Sequence, residues 1–150
     1  MNRFLILSLV FISKLVSAQN PLPLIPQPQQ IEIHKGSFTL NKETVIQPNY
    51  NLAEALYLQK SIKELTGLDL KIQSAVNKPN RIVLAHSEIK RKSNDGYELL
   101  ISNKKFVAIY AKTPEGFFYG IQTFLQLLPI EKKDKISLPC LSILDDSKFQ

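Results

Sequence analysis

Tryptophan is absent from this chain, and cysteine and histidine are scarce, with one residue and two. A single cysteine, Cys140, excludes an internal disulfide framework. It stands in the mostly apolar run S-L-P-C-L-S-I (137–143), where a small core residue is expected rather than a reactive thiol. His34 and His86 lie far apart in strand-like runs. No His-Glu-x-x-His spacing or cysteine pair accompanies them, so no metal site is expected. A G-x-S-x-G elbow and a phosphate-binding glycine loop are also missing, and no cofactor is expected.

Long apolar runs are lacking too, except at the start. Phe4–Ile12 is an almost wholly apolar stretch after the basic opening Met1-Asn2-Arg3, and Val16-Ser17-Ala18 follows with small residues. Basic start, apolar centre and small-residue end, in that order, are the parts of a secretory signal. The stretch is too short for a spanning helix, which needs about 20 apolar residues, and Lys14 interrupts it. Residues 1–18 are therefore read as a signal peptide, the alternative being a buried N-terminal strand. The mature part, 19–150, is expected to be exported, to a periplasm or beyond the cell, with no membrane role after cleavage.

The formal charge of +6 includes Arg3 and Lys14, so the mature part carries +4. Scattered lysines of that number solvate a surface, and export argues against a nucleic-acid partner. The remaining 132 residues (150 − 18) suffice for one domain with its own core.

Residues 19–30 hold four prolines, which favour extended chain. Ile31–Leu40 alternates around Lys35-Gly36 and reads as a hairpin, and Thr44–Gln47 as a further strand. Asn51 is placed to cap a helix over 52–66, with Gly67 to end it in a left-handed turn. Strand signals follow at 68–72, 81–85, 97–101 and 106–111, the last two joined by a hairpin loop at 102–105. Thr113, Pro114 and Glu115 open a second helix, and Pro129 stops it. Phe117, Ile121, Phe124 and Leu128 form one apolar stripe on it, widened by Phe118 and Leu125. Gly116 and Gly120 share a face, each costing about 1 kcal/mol of helix propensity, which implies close backbone approach. A last strand follows. This order predicts an α+β fold, a mostly antiparallel sheet with two helices packed on one face.

Chemistry is hard to find. Asp145-Asp146 is the one adjacent carboxylate pair. Paired carboxylates can cleave glycosidic bonds, but neighbours at a strand end seldom act together, and a solvated turn is the expectation. Without tryptophan, a sugar-stacking site would rest on five tyrosines. Tyr97, Tyr110 and Tyr119 are expected to be half-buried packing residues. No catalytic, cofactor-binding or metal-binding residue is assigned.

Taken in order, the segments resemble a known family. They are Leu22-P-L-I-P-x-P, Gly36-S-F-T-L, Glu98-x-x-I, Phe106-x-A-I-x-A, Gly116-F-F-Y-G-I-Q-T-F-L-Q-L-Leu128 and Leu138-P-x-L-x-I-L-Asp145. Together they are similar to the N-terminal, non-catalytic domain of glycoside hydrolase family 20, the exo-acting β-N-acetylhexosaminidases. The resemblance implies a sheet whose two helices pack against a following catalytic (β/α)8 barrel in the same chain. It also implies that Gly116, Gly120 and the stripe beside them serve as docking surface and core. The family's Asp-Glu pair belongs to that barrel, and no catalytic or substrate residue carries over to any position here. Where the family continues with I-x-D-x-P-R-F-x-W-R-G, this chain has Ile143-L-D-D-S-K-F-Gln150. Ser147 replaces the usual proline and Lys148 the usual arginine. The expectation is an accessory domain over 19–150, ending where the catalytic barrel would begin and present here without it, that hydrolyses nothing alone. A glycan- or cell-wall-binding module and a small secreted inhibitor are the rival readings.

Overall fold

The computed structural model describes residues 22–74, 78–87 and 93–146. The signal reading over 1–18 and the family positions 147–149 lie outside the described residues. Seven strands and two helices follow in order: β1 (Gln30–Asn41), β2 (Val45–Gln47), α1 (Leu52–Thr66), β3 (Lys71–Ile72), β4 (Arg81–His86), β5 (Tyr97–Ser102), β6 (Phe106–Ala111), α2 (Pro114–Gln126) and β7 (Lys135–Asp145). The strands form one sheet in the order β1-β7-β5-β6-β4-β2-β3.

The α+β class holds, and the sheet is mixed. β1–β7 and β5 with both its neighbours are antiparallel. The other half, β3–β2–β4–β6, is parallel. For β2 and β3 the reason is α1, a crossover that returns the chain to the same end of the sheet before β3. Strands of two and three residues carry no signal of direction, so this half was not legible from pattern.

The expected hairpin over 31–40 is one continuous strand instead. Both arms of it pair with β7, and the register shifts between Ile33 and Ser37. The turn chemistry at Lys35-Gly36 builds a bulge rather than a reversal, with Gly36 at φ +106°, a conformation glycine adopts without strain. Buried positions change parity across it. Phe38 and Leu40 face Leu138 and Ile136 in the core, whereas nearer the sheet centre Leu141 and Ile143 are buried. The bulge turns the β1–β7 ribbon so that its other side meets the core.

Helix ends follow the sequence in position more than in mechanism. Asn51 is the N-cap of α1, but its side chain makes no cap bond. Gly67 ends α1 at φ 80° with its N–H on the Lys63 carbonyl, 2.9 Å, the expected left-handed stop. Thr113 caps α2 by accepting from Gly116 N–H at 3.3 Å and donates its hydroxyl to the Asn94 carbonyl at 2.7 Å. The α-helix ends at Gln126. Leu127 and Leu128 continue as tighter turns, their N–H groups donating to Phe124 and Leu125 carbonyls.

The core lies between the sheet and the two helices. Phe117, Ile121, Phe124 and Leu128 are buried against residues such as Leu99, Ile101, Val107 and Ile109. A Cβ added to Gly116 would sit 2.7 Å from the Gly96 carbonyl oxygen, and one on Gly120 2.6 Å from Ile109 Cγ2. The close approach predicted for these glycines is therefore made to the domain's own strands. Tyr97 reaches up from β5 to α2, its hydroxyl 2.6 Å from Thr123 Oγ1. Cys140 is buried as expected, and burial pushes its thiol pKa up.

Gly116→Ala and Gly120→Ala should each lower the unfolding free energy by about 1–3 kcal/mol through overpacking. That exceeds the roughly 1 kcal/mol alanine gains in helix propensity. Urea midpoints at or above that of the parent would show a looser fit of α2 to β5 and β6.

Candidate functional site

The stripe on α2 is sealed by this chain's own sheet, so it is core and not a docking surface. This corrects the expectation that the stripe meets a second domain. The outward side of α2 is nonetheless not the charged side usual for a surface helix. Over its thirteen residues α2 has one charged side chain, Glu115. Tyr119, Gln122 and Gln126 recur at helical spacing opposite the stripe, with Phe118 beside them. Phe118 is 46% exposed and Tyr119 47%, so Phe118, expected to widen the stripe, lies outside it.

α1 adds to this surface. Tyr57, 39% exposed, stacks on Phe118 with ring centroids 5.8 Å apart, and Phe118 meets Tyr119 edge-on at 5.7 Å. Gln122 Nε2 donates to the Tyr57 hydroxyl at 2.5 Å. Three rings thus form an ordered aromatic group on the outer side of the helix layer. Tyr57 was not singled out by sequence. Its partner Phe118 lies 61 positions away (118 − 57), and no local pattern joins them.

The proline-rich arm before β1 runs along α2. Leu24 and Pro28 are buried. Between them Ile25 is pinned at both backbone groups: its N–H donates to Gln126 Oε1 at 2.8 Å, and its carbonyl accepts from Gln126 Nε2 at 3.0 Å. Farther along, Gln29 N–H donates to Asp145 Oδ1 at 3.2 Å, and Gln29 Nε2 donates to the Asp146 carbonyl. Asp146 Oδ1 accepts from Ser93 N–H at 3.0 Å and from the Ser93 hydroxyl. The Asp145-Asp146 pair is thus half-buried and bonded rather than a plain solvated turn. It ties the arm and the turn before β5 to the end of β7.

Between the arm, the outward side of α2 and the ends of β5 and β7 lies an open groove of about 560 Å³. Ile25, Phe118, Tyr119, Gln126, Asp95 and Asp146 are among its lining residues. Of the histidines, His34 sits on β1 with Nε2 3.0 Å from Ser142 Oγ, and His86 ends β4. Neither lines the groove. Among the described residues no group of three potential ligands is placed to hold a metal ion, and no helix is long and apolar enough to cross a membrane.

The family profile described as "Glycosyl hydrolase family 20, domain 2" matches residues 22–146. The chain belongs to glycosyl hydrolase family 20. It corresponds to the non-catalytic domain of the family's hexosaminidases. A beta-hexosaminidase of Porphyromonas gingivalis (strain ATCC BAA-308 / W83) is 30% identical over 121 residues, 77% of this chain and 15% of that protein. A family 20 exo beta-N-acetylglucosaminidase from Vibrio harveyi, solved with N-acetylglucosamine, superposes with TM-score 0.70 at 26% identity, over 87% of this chain and 20% of its own. A chitobiase from Flavobacterium johnsoniae gives TM-score 0.62 at 25% identity, over 86% and 21%. The chain therefore spans about a fifth or less of these relatives. The most specific sequence segment, Gly116–Leu128, is the helix that carries both the core stripe and the outward rings.

The exposed rings predict dye binding by the isolated family 20 domain. Phe118→Asp should reduce fluorescence of a hydrophobic dye while moving stability by only about 0.5 kcal/mol, as surface changes do. Phe117→Asp should prevent folding, because it places a charge in the core. Equal dye binding by the parent and Phe118→Asp would mean that the rings are not the apolar surface of this domain.

Proposed function

We propose that this domain is the support of a catalytic barrel in an exported exo-β-N-acetylhexosaminidase, which releases terminal β-linked N-acetylglucosamine or N-acetylgalactosamine from glycans. The observation that carries this reading is the outward side of the helix layer. With its core side already sealed, α2 still presents Phe118 and Tyr119 to solvent, backed by Tyr57. Apolar surface of this kind marks an interaction site. β7 ends at Asp145, and Asp146 lies on the groove beside these rings. A following domain would depart from the edge of the surface it is to cover. Membership of family 20 supplies the substrate class of the parent activity, and the several-fold greater length of the relatives supplies room for the catalytic part.

No step of glycoside hydrolysis is assigned to a residue of this chain. Asp145 and Asp146 serve as acceptors for the arm and for Ser93. Their place at the end of β7 supports a structural role.

A second reading has one observation in its favour. The groove sets the Tyr119 ring beside amide and carboxylate side chains, a combination suited to a neutral sugar. A free-standing glycan-binding module would be retained on immobilised chitin oligomers or peptidoglycan, and Tyr119→Ala would abolish retention.

Pure chain assayed with a chromogenic N-acetylglucosaminide should give no turnover above a protein-free blank. Turnover that survives repurification would place catalytic groups within these 150 residues and overturn the supporting role.

A further inference from the structure

Ile25 borders the groove with its side chain 82% exposed, yet its backbone is held at both polar groups. Both of its backbone polar groups are bonded to one side chain, the Gln126 amide, in the manner of a neighbouring strand. In open solvent water would satisfy that N–H and that carbonyl equally well. A bonded pair at this place matters when water is removed, since buried backbone groups must find partners. Leu24 and Pro28 anchor the arm on either side. The result is an isoleucine whose backbone is prepared for burial and whose side chain points into solvent beside Phe118 and Tyr119.

We infer that Gln126 builds Ile25 into the docking surface as an apolar anchor, and that the occupant covering it is the catalytic domain of the parent hexosaminidase. This rests on the supporting role proposed above. Three features favour that occupant over others. The groove Ile25 borders is the one that Asp146 lines, so a domain joined after β7 would set out beside the anchor. The relatives carry roughly four-fifths or more of their length outside the matched region. The outward side of α2 has Glu115 as its one charge, which suits an apolar partner surface. Gln126 is a positioning residue here, since it acts through the arm.

The test uses thiol reactivity, for which Cys140 is a silent background because it is buried. Ile25→Cys is prepared in this chain. It is also prepared in a chimaera in which residues 22–146 replace the matched segment of the Porphyromonas gingivalis beta-hexosaminidase. The anchor predicts rapid labelling in the chain alone and labelling slowed by roughly tenfold or more in the chimaera, a ratio equal to about 1.4 kcal/mol of protection. Ile130→Cys, exposed and away from the groove, should label alike in both. Adding Gln126→Ala should restore much of the labelling of Ile25→Cys in the chimaera, while hexosaminidase activity shows that its catalytic part is still folded.

Phe118→Cys separates the two ways of failing. If Phe118→Cys is protected in the chimaera and Ile25→Cys is not, the docking reading stands and the anchor is overturned. If neither is protected, the docking reading itself falls. Protection of Ile25→Cys in the chain alone, growing with protein concentration, would make a second copy the occupant and overturn the assignment. Unchanged protection on Gln126→Ala would remove the positioning role from Gln126.

Discussion

The distance between α2 and strands β5 and β6 is the constraint on which the rest depends. Two glycines set it. At 116 the neighbour is a backbone carbonyl, and at 120 it is the branched methyl of Ile109 and the ring of Tyr97. Neither partner can retreat far, since one is main chain and the others are packed into the sheet. The low seat of the helix closes the core. Phe117, Ile121 and Phe124 are completely covered, each contributing about 1.5–3 kcal/mol by burial, and the Tyr97 hydroxyl finds Thr123 instead of water. The loss of helix propensity at two positions is outweighed by that burial.

A sealed core changes the meaning of what stays outside. Had the stripe been half covered, exposed rings on α2 would simply be the spill-over of an oversized apolar face. Instead the helix has two separate apolar surfaces. The second is organised in its own right, with Tyr57 stacked on Phe118, Phe118 edge-on to Tyr119, and the Gln122 amide fixing the Tyr57 hydroxyl. Holding rings in place on a surface costs side-chain entropy, a cost that burial beneath the proposed partner would offset. The arm extends the same surface, bound to α2 through Gln126 and to β7 through Asp145 and Asp146.

Much of this architecture was legible in the residues. Pro114, Thr113 and Gly67 fixed helix ends because their effects are local, and the period of the stripe fixed the buried side of α2. The motif from Gly116 to Leu128 carried the family. The parallel half of the sheet was hidden, because the direction of β2 and β3 is decided by the α1 crossover and not by their few residues. The Lys35-Gly36 turn signal was real but was spent on a bulge, an outcome determined by β7 some 100 residues later. The site was the least legible part. Tyr57, Ile25 and Gln126 meet only in three dimensions. The single clue in sequence was the near absence of charge on the side of α2 opposite the stripe.

Under the proposed supporting role, support and chemistry would sit apart. A catalytic carboxyl must meet substrate, and its proton affinity must suit the reaction. Asp145 and Asp146 accept bonds from Gln29 and Ser93 at the end of β7. Moving either would loosen the arm and the turn before β5, hence two walls of the groove. Their chemistry is committed to the shape of a surface, and that surface is mostly apolar where it is most exposed. Such a surface can orient a neighbour without taking part in its reaction.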